Sequence, residues 1–291
     1  MKRYGCQPTA SRVYSPWMQK VSVTAVALVM LGGCAGHACP RIEHTDPEQA
    51  LTYHDSMREH ARSLRAEARV DQFNRKGRVR GTVMMFVARP NRLRFDAMTQ
   101  FGPAAVLTSD GPDFSFLDLR KKVFLQGPVC PSNIARLMGV AMKADDLALL
   151  LLAQVPRIRA NSTVMQCTED GFYRIVRYGT DGLRQEIDLD IREADLDSPL
   201  TEQRLRLLRV ELYDPKGETE WRVSYDDYRV VRGPEERQGV AMPFSIRFVD
   251  PKRGGDTLVR FKTLELNVAI PSDVFRQQPP PGTSVRRATC P

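Results

Sequence analysis

Hydrophobic positions in this chain change their period once. Ala50, His54, Met57, Ala61, Leu64 and Ala68 recur at alternating spacings of four and three, which predicts one face of a helix. Asp46-Pro47-Glu48-Gln49 opens it, with Asp as N-cap, Pro at the first helical position and Gln reaching back from the third. From about residue 66 the period becomes two. Leu93, Phe95 and Ala97 alternate with Arg92, Arg94 and Asp96. Ile187, Leu189 and Ile191 alternate with Glu186, Asp188 and Asp190, and Trp221, Val223 and Tyr225 with polar neighbours. Turn triplets separate the runs: Arg89-Pro90-Asn91, Ser109-Asp110-Gly111, Glu169-Asp170-Gly171, Thr180-Asp181-Gly182, Pro215-Lys216-Gly217 and Gly254-Gly255-Asp256. The pattern predicts a mainly β fold with helices, an antiparallel meander of about a dozen strands with one apolar face.

One insert, residues 131–156, interrupts the strands. Pro131-Ser132 opens a short helix with Ile134, Leu137 and Met138, ended by Gly139. A second starts near Ala144 and runs through Leu147, Leu149, Leu150, Leu151 and Leu152 until Pro156. It is too short to cross a bilayer and apolar nearly all round, so both of its sides need cover. One side can pack on the sheet. The other faces an interior or an apolar ligand, unless the insert simply plugs the concave face.

A second apolar run, Val21 to Ala35, lies behind Lys2, Arg3, Arg12 and Lys20, with no acidic residue before Cys34. A basic lead and a short apolar core read as a secretory signal. Leu31-Gly32-Gly33-Cys34 resembles the lipobox of bacterial lipoproteins, which implies cleavage before Cys34 and acylation of that cysteine. Met18 is an alternative start. Ala35 is not the aspartate associated with inner-membrane retention, so the resemblance implies the periplasmic face of the outer membrane. The expected organisation is a signal at 1–33, a lipidated tether at 34–45 and one domain at 46–291.

Removal of the signal leaves 39 basic and 35 acidic residues, a mild and diffuse net +4 that argues against nucleic acid. The densest basic patch, Arg75, Lys76, Arg78 and Arg80, reads as a solvated strand end. All four histidines (His37, His44, His54, His60) precede residue 61, which leaves no imidazole for a Ser-His-Asp, Cys-His or His-rich metal site in the strands. His54 reads as a packed histidine. Asp188, Asp190, Asp195 and Asp197 fail the EF-hand spacing, because Arg192 and Glu193 fall where a ligand and the turn glycine belong. Cys39, Cys130, Cys167 and Cys290 suggest two disulfides with three possible pairings. The favoured pairing joins the chain ends, Cys39–Cys290, and closes the insert with Cys130–Cys167.

Several stretches resemble the LolA/LolB group of periplasmic lipoprotein carriers and acceptors. Val87 to Phe95, Val106 to Gly111 and the ending Phe275 to Val285 resemble LolA. Met138 to Met142 followed by Leu147 to Pro156, and Trp221 to Tyr225 with Met242-Pro243, resemble LolB. The resemblance implies a curved half-barrel, an N-terminal helix and a two-helix lid over a cavity for acyl chains. It implies no enzymatic chemistry, no metal and no cofactor beyond the lipid on Cys34. Ile134, Leu137, Met138, Leu147, Leu150, Leu151, Phe95, Phe114 and Phe116 are the expected cavity and lid residues. Phe101 and Gly102, in Gln100-Phe101-Gly102-Pro103, match LolB's membrane-inserting loop, and Arg89 matches the arginine that closes LolA's lid. The implied partners are acylated lipoprotein or lipid cargo, the inner leaflet of the outer membrane and a soluble LolA-like carrier, with the protein itself a monomer. The lipobox points to LolB and Arg-Pro-Asn to LolA, so donor and acceptor both stay open. The four mature cysteines and the long polar loop Arg192–Arg204 depart from the pattern. A stress sensor or a structural lipoprotein on the same fold is the alternative.

Overall fold

The computed structural model describes residues 39–75, 77–234 and 239–290, without the side chains of Leu137 and Met138. The signal segment, Cys34 and Lys76 lie outside the described residues. Helix α1 spans Pro47–Ser56, and the Asp46 carboxylate accepts from the backbone N–H of Glu48 at 2.9 Å and Gln49 at 3.2 Å. It is shorter than the periodicity predicts. Leu64 and Ala68 belong instead to the first strand, beside the inward-facing Ala66 and Val70. A spacing of four residues satisfies both a helix and an alternating strand, which is why the change of period sits earlier than it reads.

Fourteen strands form one curved sheet among the described residues. The first meander comprises β1 (Ser63–Asn74), β2 (Gly77–Ala88), β3 (Arg92–Thr99), β4 (Gly102–Ser109), β5 (Asp113–Asp118) and β6 (Val123–Pro128). The second comprises β7 (Ala160–Cys167), β8 (Phe172–Gly179), β9 (Arg184–Ile191), β10 (Leu205–Tyr213), β11 (Thr219–Val231), β12 (Val240–Asp250) and β13 (Gly255–Leu266). Antiparallel pairing of β1 with β13 joins them, and β14 (Ser284–Arg287) adds in parallel to β6. All six predicted turn triplets fall at junctions between strands, with Ser109 closing β4 and Gly255-Asp256 opening β13.

The insert forms helices α2 (Pro131–Met138) and α3 (Ala144–Leu151), separated at Gly139, whose φ of +71° suits glycine. It connects β6 to β7, which stand near opposite edges of the sheet. Its chain therefore has to cross the sheet, and its leucines join the core on the apolar face. That one core draws on α1, α3 and the inward residues of nearly every strand. The other face carries a charge ladder. Asp188 accepts from Arg174 at 2.9 Å and Arg209 at 2.7 Å, and Asp195 from Arg192 and Arg204. Arg206 pairs with Asp190. Arginines thus occupy the carboxylates that a calcium site would need.

The disulfides correct the expected pairing: Cys39 bonds Cys167, and Cys130 bonds Cys290. Cys39 and Cys290 thus do not bond each other. The N-terminal segment follows the β7 side, where Arg41 N–H donates to Leu196 O at 3.0 Å and Gln203 to Ile42 O at 2.7 Å. Residues 39–45 thus pack on the loop after β9 rather than forming free tether. The C-terminal segment runs along β6 instead, where Ala288 N–H donates to Gln126 O at 2.8 Å. Gly127 permits this, because a Cβ there would collide with the Ala288 carbonyl. Gly127→Ala is expected to cost about 1–3 kcal/mol. Amide exchange should show loss of protection at residues 284–288 with the central strands unchanged; protection equal to wild type would remove this close approach as a constraint.

Candidate functional site

The concave face and its lid bring most of the predicted cavity residues together. Ile134 from α2, Leu147, Leu150 and Leu151 from α3, Phe95 from β3 and Phe114 from β5 share one cluster, and Phe116 is half-buried against it. The side chains of Leu137 and Met138 are outside the described residues. Of the two possibilities open in the sequence, a hollow under the lid or an insert that plugs the concave face, burial at the lid favours the plug. Ile134, Leu147, Leu150 and Leu151 are each 1% exposed or less, so no water-sized space adjoins them. Side chains fill the interior because a lid that is apolar on both sides packs onto the sheet when no ligand intervenes. Among the described residues, clefts open at the margin of this core, where Phe114 and Ala288 line one and Val155 another. One of about 920 Å³ runs between the C-terminal segment and β4–β6, and one of about 400 Å³ lies between α1 and residues 149–157.

A few polar contacts fasten the lid. The Tyr225 hydroxyl donates to Leu150 O at 3.1 Å, Gln154 Nε2 to Arg58 O at 2.9 Å and Gln185 Nε2 to Pro156 O at 2.5 Å. Arg157 pairs with Asp55 and lies 3.6 Å from Glu48, both on α1. Arg89 is exposed at the rim of the 400 Å³ cleft, and its side chain makes no hydrogen bond among the described residues. The lid-closing bond implied for it is not made in this structure, because Gln154, Tyr225 and Gln185 hold the closed lid instead.

Phe101 stands at the tip of the β3–β4 hairpin, 91% exposed. Thr99 Oγ1 donates to Gly102 O at 2.8 Å and accepts from Phe101 N–H at 3.2 Å, which fixes the turn, while Gly102 takes a φ of +113°. The register Thr82↔Met98 carries this tip level with the first residues of β2, which extend past β3. There Phe73 is 58% and Val79 63% exposed. Arg78 and Arg80 flank them, both paired with Asp71. Three hairpin tips, β1–β2, β3–β4 and β5–β6, thus share one end of the sheet, away from both disulfides.

Of a polar group beneath the lid the sequence pattern marks only His54, there as a packed, satisfied histidine; it is packed but not fully satisfied. Arg58 and His54 are buried, as are Tyr225 and Gln154. His54 Nδ1 meets Asp55 at 3.1 Å while its Nε2 has no partner. Burial, with the Arg58 charge second, pushes the His54 pKa down to about 4. His44 is also buried with neither ring nitrogen bonded, between the rings of Tyr53 and Tyr173.

No protein-family model and no curated protein matches the chain. Solved structures do. A candidate outer membrane lipoprotein-sorting protein domain from Vibrio parahaemolyticus aligns with a TM-score of 0.50 at 13% identity, over 79% of this chain and 97% of that one. A DUF1329 family protein from Desulfovibrio piger aligns with a TM-score of 0.50 at 12% identity, over 80% and 98%. A LolA superfamily protein from Nitrosomonas europaea gives 0.49 at 12% identity, over 81% and 99%. At these identities the first two speak for the fold alone. The chain shares its fold with these two proteins.

Proposed function

We propose that this protein is a lipid-anchored binder of acyl chains at the periplasmic face of the outer membrane, which takes up lipoprotein or lipid cargo beneath its lid and helps pass it to the membrane. The observation that carries this reading is the lid itself. A leucine-rich insert crosses the sheet from one side to the other and is held by a few polar contacts. An acyl chain in water costs about 0.8 kcal/mol per exposed CH₂, on the order of 10 kcal/mol for a long chain, so a carrier needs a closed apolar container. In this reading the packed interior is the empty, shut form, and the incoming chain replaces the contacts between α3 and the sheet. No enzymatic step enters it. The test is whether soluble protein from Ala35 onward co-purifies with a lipid or an acylated peptide, or takes one up on mixing. Protein that stays lipid-free under both conditions would end the proposal.

Phe101 is the proposed membrane-inserting residue, with Phe73 and Val79 beside it. Phe101→Glu is expected to leave thermal stability and cargo binding unchanged, because the side chain is solvated, and to reduce transfer of cargo to vesicles at least tenfold. Transfer at the wild-type rate would remove the tip from the account.

A second reading has its own observation. The filled interior suits a structural lipoprotein, or an envelope-stress sensor that does not transport. Depletion separates them: lipoproteins mislocalised to the inner membrane support transfer, whereas normal sorting with a changed stress response supports sensing.

A further inference from the structure

We infer that the ligand of this interior is an anionic amphiphile, and that Arg58 is the group on which its charged head docks. The inference deepens the acyl-binding proposal and rests on it. Arg58 lies in the turn after α1, 2% exposed. Its backbone is fixed on both sides: its N–H donates to Asp55 O at 2.9 Å, and its carbonyl accepts from Gln154 Nε2 at 2.9 Å. The side chain points inward, where Nη1 donates to Leu205 O at 3.3 Å, while Nε and Nη2 have no hydrogen-bond partner.

A guanidinium stays charged in proteins and presents five donors, so one neutral carbonyl leaves both its charge and most of its donors unanswered. No carboxylate among the described residues pairs with it. The neutral Tyr228 hydroxyl is the neighbour that most favours its charge. Asp55, a carboxylate, comes second and is taken by His54 and Arg157. The hydroxyls of Tyr225 and Tyr228 donate to Leu150 O and Leu207 O, and the Tyr228 oxygen faces the guanidinium as a neutral acceptor that brings no counter-charge. Burial outweighs these neighbours and lowers the Arg58 pKa. Arg177 supplies the contrast: also buried, though less completely, it has Glu48.

A charge buried without a counter-ion destabilises a closed core, and a methionine in its place would fill the same space without that penalty. An arginine makes sense there when an anion arrives to complete the site. Carboxylate and phosphate oxygens both fit its fork, so a fatty acid and an anionic phospholipid share the recognised chemistry. The route is also on the structure. Gln154, which holds the Arg58 carbonyl, lines the cleft of about 400 Å³ beside Leu149 and Val155. Arg89 and Arg157 stand on its rim together with Asp55 and Glu59.

The test uses the full soluble chain at neutral pH, titrated calorimetrically with palmitate, with phosphatidylglycerol and with neutral monopalmitoylglycerol. Wild type is expected to bind an anionic lipid at least tenfold more tightly than the neutral one, palmitate or phosphatidylglycerol leading according to which head the site takes. Arg58→Met should lose that preference while its thermal midpoint equals or exceeds wild type, and Arg58→Lys should recover part of the preference. Equal affinity for charged and neutral lipids in wild type, or a preference that survives in Arg58→Met, overturns the inference and leaves acyl binding standing. Absence of binding to any of the three overturns both.

Discussion

Replacing Cys130 and Cys290 together with serine is expected to destabilise the protein by about 5 kcal/mol, as read from urea midpoints under non-reducing conditions. The bond spans 160 residues of sequence. In the chain-entropy account a cross-link of that span removes about 5 kcal/mol of freedom from the unfolded chain. Set against a total stability of about 5–15 kcal/mol for a typical domain, this is a large fraction. Local geometry adds to it. Cys130 immediately precedes α2, and the C-terminal segment that Cys290 ends covers part of the face of β4–β6, where Gln277 donates to Val106 O at 3.2 Å and Ser115 O at 3.1 Å. Loss of the bond should loosen that segment and the entry to the lid together. A midpoint within about 1 kcal/mol of wild type would show that the segment holds without it. Peptide mapping of the unreduced protein checks the connectivity itself, since Cys39–Cys167 and Cys130–Cys290 give fragments different from those of the pairing that joins the chain ends.

Stability is also expected to fall as pH drops from about 6.5 toward 4. His54 is fully enclosed, and its pKa near 4 compares with about 6.5 in an unfolded chain. Between those values the unfolded chain binds a proton that the folded one refuses, so acid favours unfolding. The contribution is fully present above 6.5 and amounts to about 3 kcal/mol lost by the foot of the window. His44, also lowered by burial, acts in the same sense. Asp96 and Asp146, raised by burial, oppose it near the lower end. Denaturation at a series of pH values should show the slope, and His54→Gln should flatten most of it. His44 and, near the foot of the window, lowered carboxylates such as Asp71 and Glu211 supply the remainder. A wild-type profile flat from pH 7 to 4.5 would contradict the buried, neutral state of His54.

Much of this architecture is legible in the residues. Hairpins need Gly, Asn or Asp where the backbone reverses, so the six triplets mark real turns. Pro131 and Gly139 bracket α2 for steric reasons, whereas α3 ends at Leu151, ahead of the expected stop at Pro156, with Ala153 at a positive φ. The start of β1 is not legible, since the spacing from Leu64 to Ala68 fits two periods at once. Nor is the cysteine pairing, which depends on the edge of the sheet each chain end follows, and so on the distant union of β1 with β13. Whether the interior is hollow or filled is a matter of shape, and leucine spacing is silent on it. Arg58 is hidden most completely: in a run that reads as an amphipathic helix, an arginine looks like any solvated side chain until the fold closes over it.

The bond from Cys39 to Cys167 has a geometric consequence for an anchored molecule. Cys167 closes β7 at the end of the sheet opposite the Phe101 tip, as the register from β7 through β13 and β1 to β3 requires. Five residue steps separate Cys34 from Cys39, a leash of at most about 18 Å. The strands themselves run about 25 Å or more from one end to the other. If Cys34 is buried in a bilayer, Phe101 can touch that same bilayer only when the strands recline along its surface. An upright molecule would hold its aromatic tip out toward the middle of the periplasm.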